Sequence, residues 1–132
     1  MIEVEASEVA EIRWGETAEV HDGGTVIVHR GARAVIRDGG CADVHEGGFV
    51  MVHAGGKADV FEGGGASVYS GGEAHVFDGG TATVLDGGYA EVRKGGELLV
   101  YEGGMSTVYE GGIATGDGSI VYVEKVGERI ML

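Results

Sequence analysis

Valine or isoleucine stands at every eighth position from Val4 to Val108, fourteen times without a failure. With that residue as position one, position seven is Ala in ten octads and otherwise Val26, Val50, Leu98 or Ser106. Positions seven and one are two residues apart, so in an extended chain both point to one side, while positions six, eight and two point to the other. The pattern predicts one short strand per octad with Ala and Val inward, as in Thr81-Ala82-Thr83-Val84-Leu85. Positions four and five are Gly-Gly in eleven of the twelve octads from Val20 onward, the exception being Gly31-Ala32. Such pairs supply the positive φ of a sharp corner and let backbones approach closely. The period and the glycine load exclude a helix.

A unit with a single buried stripe cannot fold alone, so the octads must stack, each coil pairing its backbone with the next about 4.8 Å away. Variable positions align at a shift of 24 residues: Val26 with Val50 and Leu98, Ile27 with Met51 and Leu99, His21 with His45, His29 with His53, Arg33 with Lys57. A shift of 16 sets Val26 over Ala42 and Arg33 over Phe49. The expectation is an all-β, single-chain triangular parallel β-solenoid, three octads per 24-residue coil, with end caps. Such a stack would be about 22 Å tall. Residues 1–19 read as an N-terminal cap with the first degenerate repeats, 20–115 as the regular solenoid, and 116–132 as a C-terminal cap or oligomerisation segment. Open strand edges invite aggregation, and the apolar Ile130, Met131 and Leu132 suit a homodimer through that last segment.

Composition narrows the function classes. The 28 glycines, the absence of proline and the dominance of Val and Ala leave a core of small side chains. A net charge of −13 repels nucleic acid and anionic membranes and favours basic partners. The first residues carry three glutamates and no Lys or Arg, unlike a secretory signal, and no apolar run reaches the ~20 residues of a membrane span. Cys41 is the single cysteine, which fits a reducing cytoplasm, that of a host cell if the chain is phage-encoded.

Position three is acidic in eight of the twelve octads from Val20. Under the 24-residue shift, Asp38, Glu62, Asp86 and Glu110 form one unbroken corner column, with Asp78 and Glu102 together on another corner. Position two turns aromatic in the later repeats, at Phe61, Tyr69, Phe77, Tyr101 and Tyr109, broken by Leu85 and Arg93. These eleven residues are the candidate partner-binding set. Residues 4–115 hold 18 acidic and 7 basic side chains, a net −11, or about one charge per 2 Å of the expected axis, close to the ~1.7 Å of B-DNA. The five histidines fall at most two to a column, fewer than the three or four ligands of a zinc site, so no metal and no cofactor are expected. No catalytic triad spacing or phosphate loop occurs, and an enzyme is not expected.

The V-x-x-G-G-x-A-x unit, seen in VFDGGTAT and VYEGGIAT, resembles the Gly-Gly strand-loop-strand repeats in passenger domains of AIDA-type autotransporter adhesins. The resemblance covers residues 4–115 and implies a right-handed β-helix with a non-enzymatic, adhesive surface. Two functions are therefore carried forward. The first is an acidic solenoid that binds a basic protein surface, including the case of a nucleic-acid mimic that inhibits a nucleic-acid-binding protein of host defence. The second is a structural or adhesive module of a phage particle or bacterial surface.

Overall fold

The computed structural model describes residues 2–4, 8–126 and 129–131, and every regular element among them is a β-strand. Strands are numbered in chain order. Sheet one stacks β1 (Ile2–Val4), β3 (Thr17–Val20), β5 (Arg33–Ile36), β7 (Phe49–Val52), β9 (Gly65–Val68), β11 (Thr81–Val84), β13 (Glu97–Val100) and β15 (Ile113–Thr115). Sheet two stacks β2 (Val9–Ile12), β4 (Thr25–Val28), β6 (Cys41–Val44), β8 (Lys57–Val60), β10 (Glu73–Val76), β12 (Tyr89–Val92), β14 (Met105–Val108) and β16 (Ser119–Tyr122). All pairings within the two sheets are parallel, and the chain alternates between them, as a β-solenoid requires. A last antiparallel pair joins β17 (Glu124–Val126) to β18 (Arg129–Met131).

The all-β parallel solenoid stands, but the three-sided coil is corrected to a two-sided one. Partners lie sixteen residues apart along both sheets, from Ala18 with Ala34 to Ala82 with Leu98 and from Val26 with Ala42 to Ala90 with Ser106. Interior volume explains the choice. Two sheets face to face leave a thin interior, which Val and Ala fill to the near-complete burial seen from Val4 to Val108. A triangle with sides of about 13 Å, four residues at ~3.3 Å each, would enclose a wider space that needs Leu and Phe. The bulkier position-seven residues confirm this: Val26 lies between Ala10 and Ala42, Val50 between Ala34 and Ala66, and Leu98 between Ala82 and Ala114. Large sits over small, and the match of like with like at 24 residues had no packing behind it. Eight rungs in each sheet give a height of about 34 Å.

From Arg13 to Gly112 every octad corner is a hydrogen-bonded turn. The N–H of position five donates to the carbonyl of position two, as in Gly80 to Phe77 at 2.9 Å, and the position-four glycine takes a φ near +80°. That is the type II arrangement, in which glycine is favoured at the third residue. Asp22 and Asp38 also take positive φ, 53° and 31°, so in their two turns both central residues are left-handed, as in type I′. Corners are laddered as well as strands, since Gly47 donates to Gly63, Gly63 to Gly79 and Gly79 to Gly95. Position five favours glycine for a different reason, although Glu16 and Ala32 fill it in two early turns: a Cβ on Gly72 would meet the Val52 carbonyl oxygen of the preceding rung at 2.5 Å.

Ser106 is the polar exception in the core. Its hydroxyl donates to the Ser119 carbonyl at 3.1 Å, tying β14 to β16, where the step between rungs shortens to pair Met105 with Ser119. The side chains of Ile130, Met131 and Leu132, expected to form the dimer contact, lie outside the described residues.

Candidate binding surfaces on corners and faces

With two octads per coil there are two corners. Corner one follows the strands of sheet one and corner two those of sheet two. Along each, a residue's neighbours are sixteen positions away, and this redistributes the candidate set. Corner one carries at position three Asp22, Asp38, Ala54, Ser70, Asp86 and Glu102; corner two carries Trp14, Arg30, Glu46, Glu62, Asp78, Lys94 and Glu110.

The expected unbroken column of Asp38, Glu62, Asp86 and Glu110 does not exist. Asp38 and Asp86 share corner one with Ala54 and Ser70 between them, and Glu62 and Glu110 share corner two with Asp78 and Lys94 between them. The longest acidic run is Glu46, Glu62 and Asp78 on consecutive rungs of corner two. The proposed aromatic surface is likewise divided, with Tyr69 and Tyr101 on corner one and Phe61, Phe77 and Tyr109 on corner two.

Within each corner the rings form ladders. On corner two His29 stacks on His45 at 5.7 Å, His45 on Phe61 at 5.3 Å and Phe61 on Phe77 at 5.3 Å, with ring planes within 15° of parallel. Farther along, the Arg93 guanidinium lies 4.5 Å over the Tyr109 ring, a cation–π contact. On corner one His53 stacks on Tyr69 at 4.6 Å. The histidine columns expected at 24 residues, His21 over His45 and His29 over His53, are thus replaced by stacking at 16. The spacing follows from the backbone: neighbouring rungs are about 4.8 Å apart, the distance at which parallel rings pack.

Acidic side chains at position three rest on the next rung. Glu62 lies over Gly79, where a Cβ would come within 2.7 Å of its Cγ, and Glu46 lies over Gly63 in the same way. Glycine at position four therefore serves both the positive φ and the bed on which these carboxylate stems lie. Sequence reasoning saw the first role and missed the second, which depends on which rung follows.

The outer face of sheet two continues the acidic surface. Asp43, Asp59, His75 and Glu91 stand on successive rungs at position eight, next to the corner-two rings. His75 holds the lower half together, with Nε2 2.6 Å from Glu73 and Nδ1 3.6 Å from Glu91, which also meets Arg93 at 3.6 Å. The upper half has no such bridge. Burial pushes the Asp59 carboxyl above its ordinary range; the His75 charge opposes this and that of Asp43 adds to it. A shallow hollow of about 240 Å³ lies there, lined by Cys41, Asp43, Lys57, Asp59 and His75.

At the first rungs, Glu3, Glu19 and His21 bring ligand atoms within 4.8 Å of one another. This group could contact a cation from the surface, with Glu3 exposed. At the start of corner two, a 2.9 Å hydrogen bond to His29 and the nearby Arg13 charge lower the Glu11 carboxyl pKa.

No protein-family model and no curated protein matches the chain. Among solved structures it is similar to the TibC-catalysed, hyper-glycosylated fragment of TibA, at 27% identity and a TM-score of 0.42, with 86% of this chain and 46% of that one covered. The chain thus spans less than half the length of that fragment, and a TM-score of this size assigns neither activity nor partner.

Proposed function

We propose that the chain is a non-enzymatic binding module, an acidic solenoid whose second corner engages a basic protein surface. The observation that carries this reading is the run Glu46, Glu62 and Asp78 beside the ladder His45, Phe61 and Phe77, with Asp43 and Asp59 on the other side of the rings. Both acid columns are fixed to a laddered backbone, so few rotors need freezing when a partner closes on them. The stacked rings cover one another's faces and turn their edges outward. Ring edges carry the positive end of the quadrupole, which suits the flanking carboxylates and leaves Lys and Arg of a partner to the acids. In this reading the chain works in the cytoplasm, where its exposed Cys41 stays a thiol.

Mimicry of nucleic acid is no longer part of the reading. The same net −11 spread over about 34 Å is one charge per ~3 Å, roughly half the linear density of B-DNA.

Binding of a fluorescent Lys- and Arg-rich peptide tests the proposal. Glu46→Gln, Glu62→Gln and Asp78→Asn together should weaken it by about tenfold and flatten its salt dependence. The control removes three charges from corner one, with Asp38→Asn, Asp86→Asn and Glu102→Gln. Equal losses from the two triples would mean that net charge alone attracts the peptide, and corner two would lose its role. A structural or adhesive module is the second reading, favoured by the uncharged middle of the outer face of sheet one.

A further inference from the structure

The two broad faces obey one period but differ in composition. Sheet two shows solvent a charged middle of Asp43, Lys57, Asp59, Glu73, His75 and Glu91, with Val9, Ile27, Met105 and Val121 toward its ends. Sheet one shows Val35, Phe49, Met51, Leu99 and Ile113, with Ser67, Thr81 and Thr83 among them. Its charges sit toward the ends: Glu3 at the first rung, Glu19 within 4.0 Å of Arg37, then Arg33 and Glu97. Arg33 and Glu97 are both exposed, and among the described residues neither side chain has an ion pair or hydrogen bond.

These two unpaired charges are symmetrically placed. Arg33 lies on β5 and Glu97 on β13, both at position six, two rungs to either side of β9. The outward residues of β9 are Gly65 and Ser67, the least bulky pair on the face. Phe49 leans over this gap, 3.3 Å from where a Gly65 Cβ would stand. Beyond it a hollow of about 410 Å³ opens between Gly65, Thr81, Thr83 and Leu99.

We propose that this face is covered by the same face of a second copy, related by a two-fold axis running along β9 in the plane of contact. An axis so placed reverses the order of rungs and keeps each strand position opposite itself. Arg33 then faces Glu97 of the second copy, and the reciprocal pair forms at the other end. Val35 meets Leu99, and Phe49 and Met51 meet Thr81 and Thr83, so the Phe49 ring enters the hollow. The alternative axis, along the solenoid, would oppose Arg33 to Val35 and Glu97 to Leu99, leaving four charges desolvated and unmatched. Charge complementarity selects the first.

Four residues across and eight rungs tall, the face measures about 13 Å by 34 Å, or roughly 900 Å² of flat contact for both copies. Specific dimers commonly bury about 1,200–2,000 Å² of accessible surface, which a roughened face of this size just approaches. The dimer is therefore weak and reversible, and sensitive to its two ion-pair ends.

Sedimentation across a concentration series tests this on the intact chain, with circular dichroism to confirm folding. Arg33→Glu and Glu97→Arg should each raise the dimer dissociation constant by about tenfold or more, because each sets like charges together twice. The double swap should restore it. A Ser67→Cys, Cys41→Ser chain should be linked between copies by a bis-maleimide spanning about 10 Å, the usual spacing of packed sheets. A wild-type chain that stays monomeric to about 1 mM, a range in which even weak protein pairs associate, would overturn the proposal and leave the face to another occupant. Single swaps without effect, or a double swap that fails to rescue, would overturn it as well.

Discussion

Replacing Gly72 by Ala separates the two demands that the corners make on glycine. Gly72 occupies position five, outside the left-handed region, so Ala suffers no conformational strain there. Its Cβ, however, would stand 2.5 Å from the Val52 carbonyl oxygen and 3.0 Å from the carbonyl carbon. That oxygen already accepts the Tyr69 N–H at 2.8 Å, so relief of the clash must move a rung and weaken a ladder bond. Overpacking of this kind costs about 1–3 kcal/mol and a weakened hydrogen bond about 1 more, giving a loss of roughly 2–4 kcal/mol.

Gly23→Ala is the counterpart. Gly23 has a φ of +86°, and an added Cβ meets no heavy atom within 4 Å. Left-handed backbone costs Ala about 1–2 kcal/mol, offset by about 0.4–1 kcal/mol from a stiffer unfolded chain, so the net loss is at most about 1.6 kcal/mol. Urea unfolding followed by circular dichroism measures both, compared at equal slope. Solenoids can unfold rung by rung, so hydrogen exchange at Tyr69 supplies a local reading of the same perturbation. Equal losses in the two variants, or a greater loss for Gly23→Ala, would refute the claim that close approach of rungs dominates.

A Cys41→Ser chain with His29→Cys and His45→Cys should form an intrachain disulfide, whereas His29→Cys with His53→Cys should not; non-reducing electrophoresis reads the difference. Phe61→Ala removes a ring stacked on both sides and should cost about 1–3 kcal/mol in urea unfolding, more than Tyr69→Ala if stacking on two faces matters. Since the Asp59 pKa is raised above 3.8, the folded chain holds that proton more tightly than the unfolded one, and stability from this group falls as pH rises through the folded pKa. Asp59→Asn should therefore stabilise the protein at pH 7, with a gain that fades below pH 3.8. A gain of equal size at both ends of that range would show that packing, and not charge, is responsible.

The octad was legible because each of its positions answers to one local constraint: Val4 to Val108 to burial, position seven to a thin core, the glycines to the turn. The number of octads per coil was not legible from the same signal. Any multiple of eight stacks Val on Val and Gly on Gly, so only the irregular positions could decide. Likeness of Val26, Val50 and Leu98 suggests vertical stacking, yet a packed interior rewards complement, and each of these residues sits between alanines. The cue that did favour two sides was already in the composition. A core built of Val and Ala has too little volume to fill a triangle.

The binding surfaces inherited that error because columns depend on coil length and nothing else. Asp78 was set apart from Glu62 although the two are neighbours, and Phe61 was grouped with Tyr69 although they stand on opposite corners. The outward placement of position two does not depend on coil length, since it faces outward whichever coil is built. What no single-residue reading could supply is the pairing of neighbours that sets their chemistry. His45 becomes part of a ring ladder only between His29 and Phe61, and the Asp59 carboxyl pKa is raised first by its partly buried face and then by Asp43 beside it. In a repeat fold the sequence names the side chains at each position, and the coil length decides which of them act together. A one-octad change in that length therefore rewrites the surface while leaving the core pattern intact.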